Sequence, residues 1–304
     1  MRYEIKFPTF DWIDIKNPTV EDCDFLTASF HLHPLVAKEI LPQLDHPKVE
    51  NFGNYIYLVI FYPFFDKKSF CTVPFELDII AGRDFIITNH YQDLVPLKII
   101  FDQCNLYEET RYEYSRGGPG EVLYRVLREI LMACFPKLNH IGRNIEEIES
   151  LIYKGEYRQA VGRISLARRD IIGFQRIMQP QHLVMKNLAR EAEVFFRKEL
   201  LPYFHSLITL QEQVNAILET NDRVLSSLES TNQSLLNDRI NNIIKVLTIF
   251  SVIVFPLMLF PSLFSMNISS LPLSSHPKGF LLVLGLMLAG CLTAIAVFKR
   301  KKWI

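Results

Sequence analysis

The sequence predicts an α/β cytosolic domain, followed by long helices and a transmembrane hairpin of two helical spans. Three observations predict this fold class. Short β-rich runs alternate with short helical segments as far as about His90. The chain from 121 to 255 is then dominated by long helical patterns. Finally, Lys278 is the only formally charged residue between Val246 and Phe298. The two apolar segments in that last stretch are each long enough to cross a bilayer.

The composition restricts the class of protein. Of 304 residues, 49% are hydrophobic and 22% are charged, which is too polar for a multi-span transporter and too apolar at the C-terminus for a soluble enzyme. A formal net charge of zero predicts no nucleic-acid partner, because phosphate binding needs a basic surplus. The five cysteines lack Cys-x-x-Cys spacing, so we expect reduced thiols rather than disulfides or a zinc site.

The first 116 residues are expected to form the α/β domain. Strands are predicted near 12–15, 55–62, 77–80 and 85–88, with a hairpin turn at 82–84. Helices are predicted to open at Thr19, at Pro34 and near Leu94.

His31 and His33 have the spacing of two metal ligands on a strand. A histidine that begins the helix at Pro34 is the favoured interpretation, because no third cysteine or histidine lies nearby in the sequence.

The glycine cluster at 116–120 marks a linker, because it lacks the Lys-Ser/Thr and the preceding strand of a phosphate loop. Beyond it we expect one helix over 121–153 and a second over 157–188, bent at Pro180. The predicted segments are an antiparallel helical pair at 121–197, a stalk helix at 198–264 whose span is about 246–264, an outer loop at 265–278, a second span at 279–298 and a basic tail at 299–304.

Basic residues predict the orientation of the hairpin. Arg239 and Lys245 precede the first span and the run 299–302 follows the second, whereas the intervening loop holds one lysine. By the positive-inside rule both termini are cytoplasmic, which predicts a multi-pass protein of the cell (inner) membrane in contact with lipid. The N-terminus carries no apolar signal segment, so we expect the first 240 residues to stay in the cytosol.

One face of the stalk carries a stripe of period 3.5 that is polar below the membrane and continues into the span. Its members are Ser227, Ser230, Ser234, Asn237, Asn241, Ile244, Thr248, Ser251, Phe255, Met258, Ser262 and Ser265. Small polar residues on a membrane helix can serve helix packing alone. Because the stripe continues into the span without a change of spacing, it favours a water-filled axis surrounded by several copies of this helix. Because two spans per chain cannot enclose a pore, such a channel must be a symmetric oligomer.

Several motifs resemble the CorA family of divalent-cation channels. They are the block 241–249, Pro256-Leu257, Met266-Asn267, the tail 298–304, and the N-terminal signatures 12–15, 32–35 and 47–50, in the family's order over nearly the whole chain. The resemblance implies a CorA-like funnel and a homo-oligomer, with a pentamer expected. It also implies passive transport of Mg²⁺ that is gated by the cytosolic domain. Mg²⁺ is in addition a candidate regulatory ion.

In the family the motif at the outer mouth is Gly-Met-Asn, here Ser265-Met266-Asn267. The resemblance implies that Asn267 contacts the hydrated ion, since Mg²⁺ keeps several waters that an amide oxygen can bind. The alternative is that Asn267 only caps a helix C-terminus. The sequence departs from the family pattern at three points. Ser265 replaces the glycine, Met258 replaces a common threonine, and the loop contains no acidic residue.

Apolar rings at Ile244, Phe255 and Met258 are gate candidates, with plain helix packing as the alternative. Asn241 is the expected inner polar ring. Sites for regulatory cations stay open, with Glu76, Asp78, Asp84 and Glu219 as available carboxylates.

Other functions are also weighed. We find no arrangement of residues that demands catalysis and no nucleotide fingerprint, so neither an enzyme nor an organic cofactor is expected. Two alternatives remain open: a Zn²⁺ or Co²⁺ transporter of the ZntB kind within the same fold, and a non-conducting membrane-anchored scaffold or sensor.

Overall fold

The computed structural model describes residues 1–41, 43–67, 71–264, 279–301 and 303. The chain divides into two compact units, Met1–Glu229 and Ser230–Ile304. The predicted fold class is confirmed: an α/β part precedes a long helix, and this helix and the last helix of the chain each contain a segment that could cross a membrane.

A mixed sheet forms the centre of the first unit. Its strands are β1 Arg2–Lys6, β2 Asp11–Lys16, β3 Lys48–Asn51, β4 Tyr55–Asp66, β5 Cys71–Gly82 and β6 Phe85–His90, in the spatial order β1-β2-β6-β5-β4-β3. The pair β2–β6 is parallel and the other pairs are antiparallel. The turn predicted at 82–84 joins β5 to β6. Strand β6 and most of β4 are buried, as expected for strands covered on both faces.

Helices cover and follow this sheet. They are α1 Val20–Phe30, α2 Pro34–Glu39, α3 Val95–Leu106, α4 Glu108–Ser115, α5 Pro119–Met132, α6 Cys134–Tyr153, α7 Tyr157–Phe195, α8 Leu201–Phe264 and α9 Gly279–Arg300. Two of them begin at the predicted residues. Thr19 and Asp22 form a reciprocal capping box at α1, and His33 Nδ1 accepts a hydrogen bond from Leu35 N at the start of α2. His33 is therefore a helix cap, as favoured from the sequence.

The helical region differs from the sequence prediction in its boundaries. The single helix expected over 121–153 is wrong, because α5 ends at Met132 and α6 starts at Cys134. Pro136 supplies the reason: it has no N–H to donate to the carbonyl of Met132, and its ring crowds that carbonyl. Helix α7 runs through Pro180 to Phe195, beyond the expected end at 188. A short 3-10 turn at Lys198–Leu200 precedes α8.

Two contacts fix α7 against the sheet. Gln181 Oε1 accepts a hydrogen bond from Phe61 N at 3.0 Å, and its Nε2 donates to Phe61 O at 2.8 Å. Strand β3 pairs with β4 only as far as Val59, so the Gln181 amide occupies the free edge beyond it. At Gly173, a Cβ atom would lie 2.7 Å from the carbonyl oxygen of Thr72, so only glycine permits this approach.

Candidate functional site

Within the first unit, α8 has one buried face. Its buried positions follow steps of three, four and seven residues and are Phe204, Leu207, Gln211, Val214, Leu218 and Leu225. Gln211 Nε2 donates to Met178 O of α7 at 2.7 Å. Arg168, also on α7, forms ion pairs of 2.7 Å with both Asp222 and Glu229. The Gln211 hydrogen bond and the two Arg168 ion pairs hold α8 on α7.

The predicted stripe begins on the opposite face of the same helix. Ser227 follows the buried Leu225 by two positions, which places it about 200° further round at 100° per residue. The described stripe residues from Ser227 to Ser262 are exposed, except the half-buried Thr248. The chain therefore leaves the stripe uncovered, while it covers the other face of α8 in the first unit.

Two hydroxyl groups of the stripe donate hydrogen bonds to main-chain carbonyls of the same helix. The Thr248 hydroxyl donates to Ile244 O at 2.7 Å, and the Ser251 hydroxyl donates to Leu247 O at 2.8 Å. Their oxygens keep lone pairs that can accept further hydrogen bonds. Water bound to a cation is a hydrogen-bond donor, so such acceptors suit a hydrated ion. The same local bonds also occur where serine and threonine only pack helices together.

The gate candidates are exposed, as are apolar side chains off the stripe such as Val246 and Phe250. Ile244 is 53% exposed, Phe255 is 69% exposed and Met258 is 68% exposed. Asn241, the predicted inner ring, lies on the same exposed line. Copies of α8 brought together on this face would present rings of amide, hydroxyl and apolar groups in succession.

Two helical segments are long and apolar enough to cross a membrane, one within Lys198–Leu259 and the other at Leu281–Arg300. Lys299 and Arg300 form the last turn of α9. The predicted outer mouth, Ser265, Met266 and Asn267, lies outside the described residues, as does the rest of the loop to 278. The stripe's last member, Ser265, therefore has no structural description.

The carboxylates considered for regulatory cations fall into two groups. Asp84, in the β5–β6 turn, and Glu219, on α8, are exposed. Glu76 and Asp78 are buried side by side on β5, which the sequence did not reveal. Their positions two apart in a strand gave the only signal, since alternate strand residues share a face. The described part of the chain contains no group of three or more His, Cys, Asp or Glu residues that could hold a metal ion.

Comparison with known proteins agrees with this architecture. The family described as "CorA-like Mg2+ transporter protein" matches residues 8–300. The cobalt/magnesium transport protein CorA of Methanocaldococcus jannaschii is 25% identical, covering 99% of this chain and 94% of that protein. A putative metal ion transporter of Bacillus subtilis, YfjQ, is also 25% identical, over 96% of this chain and 89% of that protein.

Solved structures give the same picture. The complete CorA magnesium transporter of M. jannaschii superposes with a TM-score of 0.79 at 26% identity, covering 99% of this chain and 94% of that chain. Full-length CmaX superposes with a TM-score of 0.75 at 17% identity, over 98% of this chain and 90% of that chain, which shows a shared fold. This chain therefore belongs to the CorA-like Mg²⁺ transporter family, a family of membrane-embedded divalent-cation transporters with two C-terminal transmembrane helices, not of enzymes.

Proposed function

We propose that this chain forms a passive channel for divalent cations, with Mg²⁺ as the transported ion, in which copies of α8 surround a shared axis. The observation that carries the proposal is the exposed stripe, which begins at Ser227 opposite the buried face of α8. From Ser227 to Ser262 the stripe carries amides and hydroxyls, interrupted by Ile244, Phe255 and Met258, which is an unusual surface to leave uncovered on a helix that enters a membrane. A water-filled axis supplies hydrogen-bond donors for the oxygen lone pairs of these groups.

The chemistry of the stripe suits an ion that keeps its water shell. Mg²⁺ dehydrates reluctantly, so a pore can bind it through its waters rather than through direct ligands. Asn237, Asn241 and Asn267 would supply amide oxygens, and Thr248 and Ser251 would supply hydroxyl oxygens whose hydrogens are already used. Ile244, Phe255 and Met258 would form apolar constrictions that close the pore by dewetting.

The assembly follows from the number of spans. Two spans per chain cannot enclose a pore, so several copies are required, and family resemblance supports a homopentamer. The basic residues beside each span support cytoplasmic termini and a hairpin in the cell (inner) membrane. Because α8 is held by α7 through Arg168 and Gln211, changes in the cytosolic domain are expected to act on the gate through this helix.

The identity of the ion is supported by the names of the relatives. The CorA proteins of Thermotoga maritima and M. jannaschii are named as cobalt/magnesium transporters, and a yeast relative is named as a magnesium transporter. Zn²⁺ and Co²⁺ are the competing cargoes within the same fold, and a regulatory role for Mg²⁺ in the cytosol accompanies the proposal.

Flux into proteoliposomes tests the proposal. We expect uptake of Mg²⁺ driven by its gradient and the membrane potential, abolished by Asn267→Ala and by Asn241→Leu. Asn242→Leu is the matched control, because it makes the same change one position off the stripe and should leave uptake intact. Well-assembled oligomers that carry no divalent ion would favour a scaffold. Uptake of Zn²⁺ or Co²⁺ but not Mg²⁺ would replace the proposed cargo.

A further inference from the structure

A cavity of about 330 Å³ opens at one edge of the sheet, where strands β1, β2 and β6 meet helix α3. The parallel pair β2–β6 ends at this edge, with Lys16 of β2 paired to His90 of β6. The carboxyl ends of parallel strands are a usual place for ligands, because the chain that follows turns away and leaves a crevice. The volume also lies within the range of small-molecule sites. Position and size therefore suit a small organic ligand.

The floor of the cavity carries a buried carboxylate. Asp14 Oδ1 accepts a hydrogen bond from the Thr88 hydroxyl at 2.6 Å. In the described part of the chain, Asp14 Oδ2 contacts a single donor, His90 Nε2, which is 3.4 Å away. That distance is long for a charge-assisted bond, so Oδ2 can accept a second, shorter one. Tyr3 of β1 is the register partner of Asp14, which places its ring beside the carboxylate. A carboxylate next to an aromatic ring is a surrounding that binds ammonium groups.

His90 supplies a positive charge at the same floor. Its Nδ1 lies 2.6 Å from Gln92 O, and its Nε2 faces the Asp14 carboxylate. Both partners can only accept hydrogen bonds, so both ring nitrogens donate and the ring is charged. Asp14 is thus already balanced, and a purely cationic ligand would leave an excess positive charge in a buried place. The ligand therefore needs a negative group of its own.

The mouth of the cavity offers positive groups for that negative end. Lys98 on α3 is exposed there and forms no ion pair in the described part of the chain, although Asp102 stands one turn further along the helix. Lys16 pairs with Asp93, whose side chain is 73% exposed, so this lysine can exchange partners at little cost. Lys16 and Asp14 point to the same face of β2, about 6.6 Å apart along the strand. An ammonium and a carboxylate joined through one carbon can bridge that spacing.

We propose that this cavity binds a free α-amino acid with an apolar side chain, its ammonium on Asp14 Oδ2 and its carboxylate on Lys16 and Lys98. The side chain packs against Phe101 of α3 and Tyr3, whose ring centroids are 6.4 Å apart. A few polar anchors beside an apolar wall are typical of small-molecule sites. Water is the competing occupant, because it can bond to the same polar groups, but it gains nothing from the apolar wall.

Isothermal titration of the full-length protein in detergent tests this, with L-leucine and L-phenylalanine as probes. The titration is run at pH 6, because the pKa of His90 lies above its ordinary value of 6.5 and the ring is charged there. We expect binding at one site per chain. Analogues that lack the α-ammonium or the α-carboxylate, and glycine, which lacks the side chain, should each bind at least about tenfold more weakly.

Two variants locate the site. Lys98→Met removes a carboxylate partner at an exposed position, and Asp14→Asn keeps the side-chain shape but removes the charge that holds the ammonium. Each should weaken binding about tenfold. Because Asp14→Asn also changes the bond to Thr88, Lys98→Met is the variant that keeps the fold. Lys154→Met is the matched control, since Lys154 is an exposed lysine at the end of α6 and away from the cavity.

Three results would overturn the proposal. One is folded protein that binds neither amino acid, which leaves water as the occupant. Another is equal affinity for the analogues without an ammonium, which removes the role of Asp14. The last is equal affinity in the native chain, Lys98→Met and Asp14→Asn, which places the ligand elsewhere.

Discussion

Replacing Gln181 with leucine tests how α7 is fixed to the sheet. The Gln181 amide bonds both the N–H and the C=O of Phe61, at 3.0 and 2.8 Å, where β3 no longer covers the edge of β4. Leucine has nearly the same volume but leaves both backbone groups buried without partners. At about 2 kcal/mol for each unsatisfied group, the variant should lose about 4 kcal/mol of unfolding free energy.

That loss is large enough to see in thermal unfolding of the purified protein. For a unit of this size, about 2–4 °C per kcal/mol gives a decrease in Tm of about 8–16 °C. Gln179→Leu is the matched control, because Gln179 is exposed two positions away on the same helix, and its Tm should be close to that of the native protein. Equal Tm values for the two variants would refute the role assigned to the Gln181 amide.

Two further predictions concern charged groups of the first unit. Arg168→Ala removes both ion pairs to Asp222 and Glu229; because all three side chains are partly exposed, the loss should be only about 1 kcal/mol. Hydrogen exchange over 222–229 should accelerate at low salt and less so at high salt, and unchanged exchange at low salt would contradict the prediction. Burial lowers the pKa of His90, but the hydrogen bond and charge of Asp14 outweigh it, so the pKa lies above its ordinary value of 6.5. The pair's stability is therefore fully present below about pH 6.5 and is lost as pH rises through the folded-state pKa. Urea unfolding midpoints of the native chain should fall over that window relative to those of His90→Asn, and parallel curves would show that His90 does not contribute.

The features that depend on local sequence pattern could be predicted. Apolar length predicts the two candidate spans, breaker residues predict the turn at 82–84, and capping chemistry predicts the helix starts at Thr19 and His33. The break near Ala133 was also encoded locally, because Pro136 removes the hydrogen bond that a continuous helix needs. The spans need about 20 apolar residues in a row, whereas in the other cases the deciding interaction lies within four residues.

Features that depend on distant pairing could not be predicted. Gln181 and Phe61 are 120 positions apart, and nothing in either local sequence indicates that they meet. The contact between Asp78 and Asn89 requires the register of β5 and β6, which places these two residues opposite each other. The stripe on α8 is intermediate: its spacing is local, but whether its residues are exposed can be read only from the structure.

Cysteine cross-linking at the stripe tests the central claim most directly, that copies of α8 meet on this face. In a chain whose half-buried Cys71 and Cys291 are replaced by serine, Asn241→Cys places a thiol on the stripe, and Ile243→Cys places one about 200° away on the same helix. Under mild oxidation in the membrane, we predict disulfide-linked pairs of chains for Asn241→Cys and monomers for Ile243→Cys. Cross-linking of Ile243→Cys without that of Asn241→Cys would show that the stripe faces away from the axis, and would contradict the account.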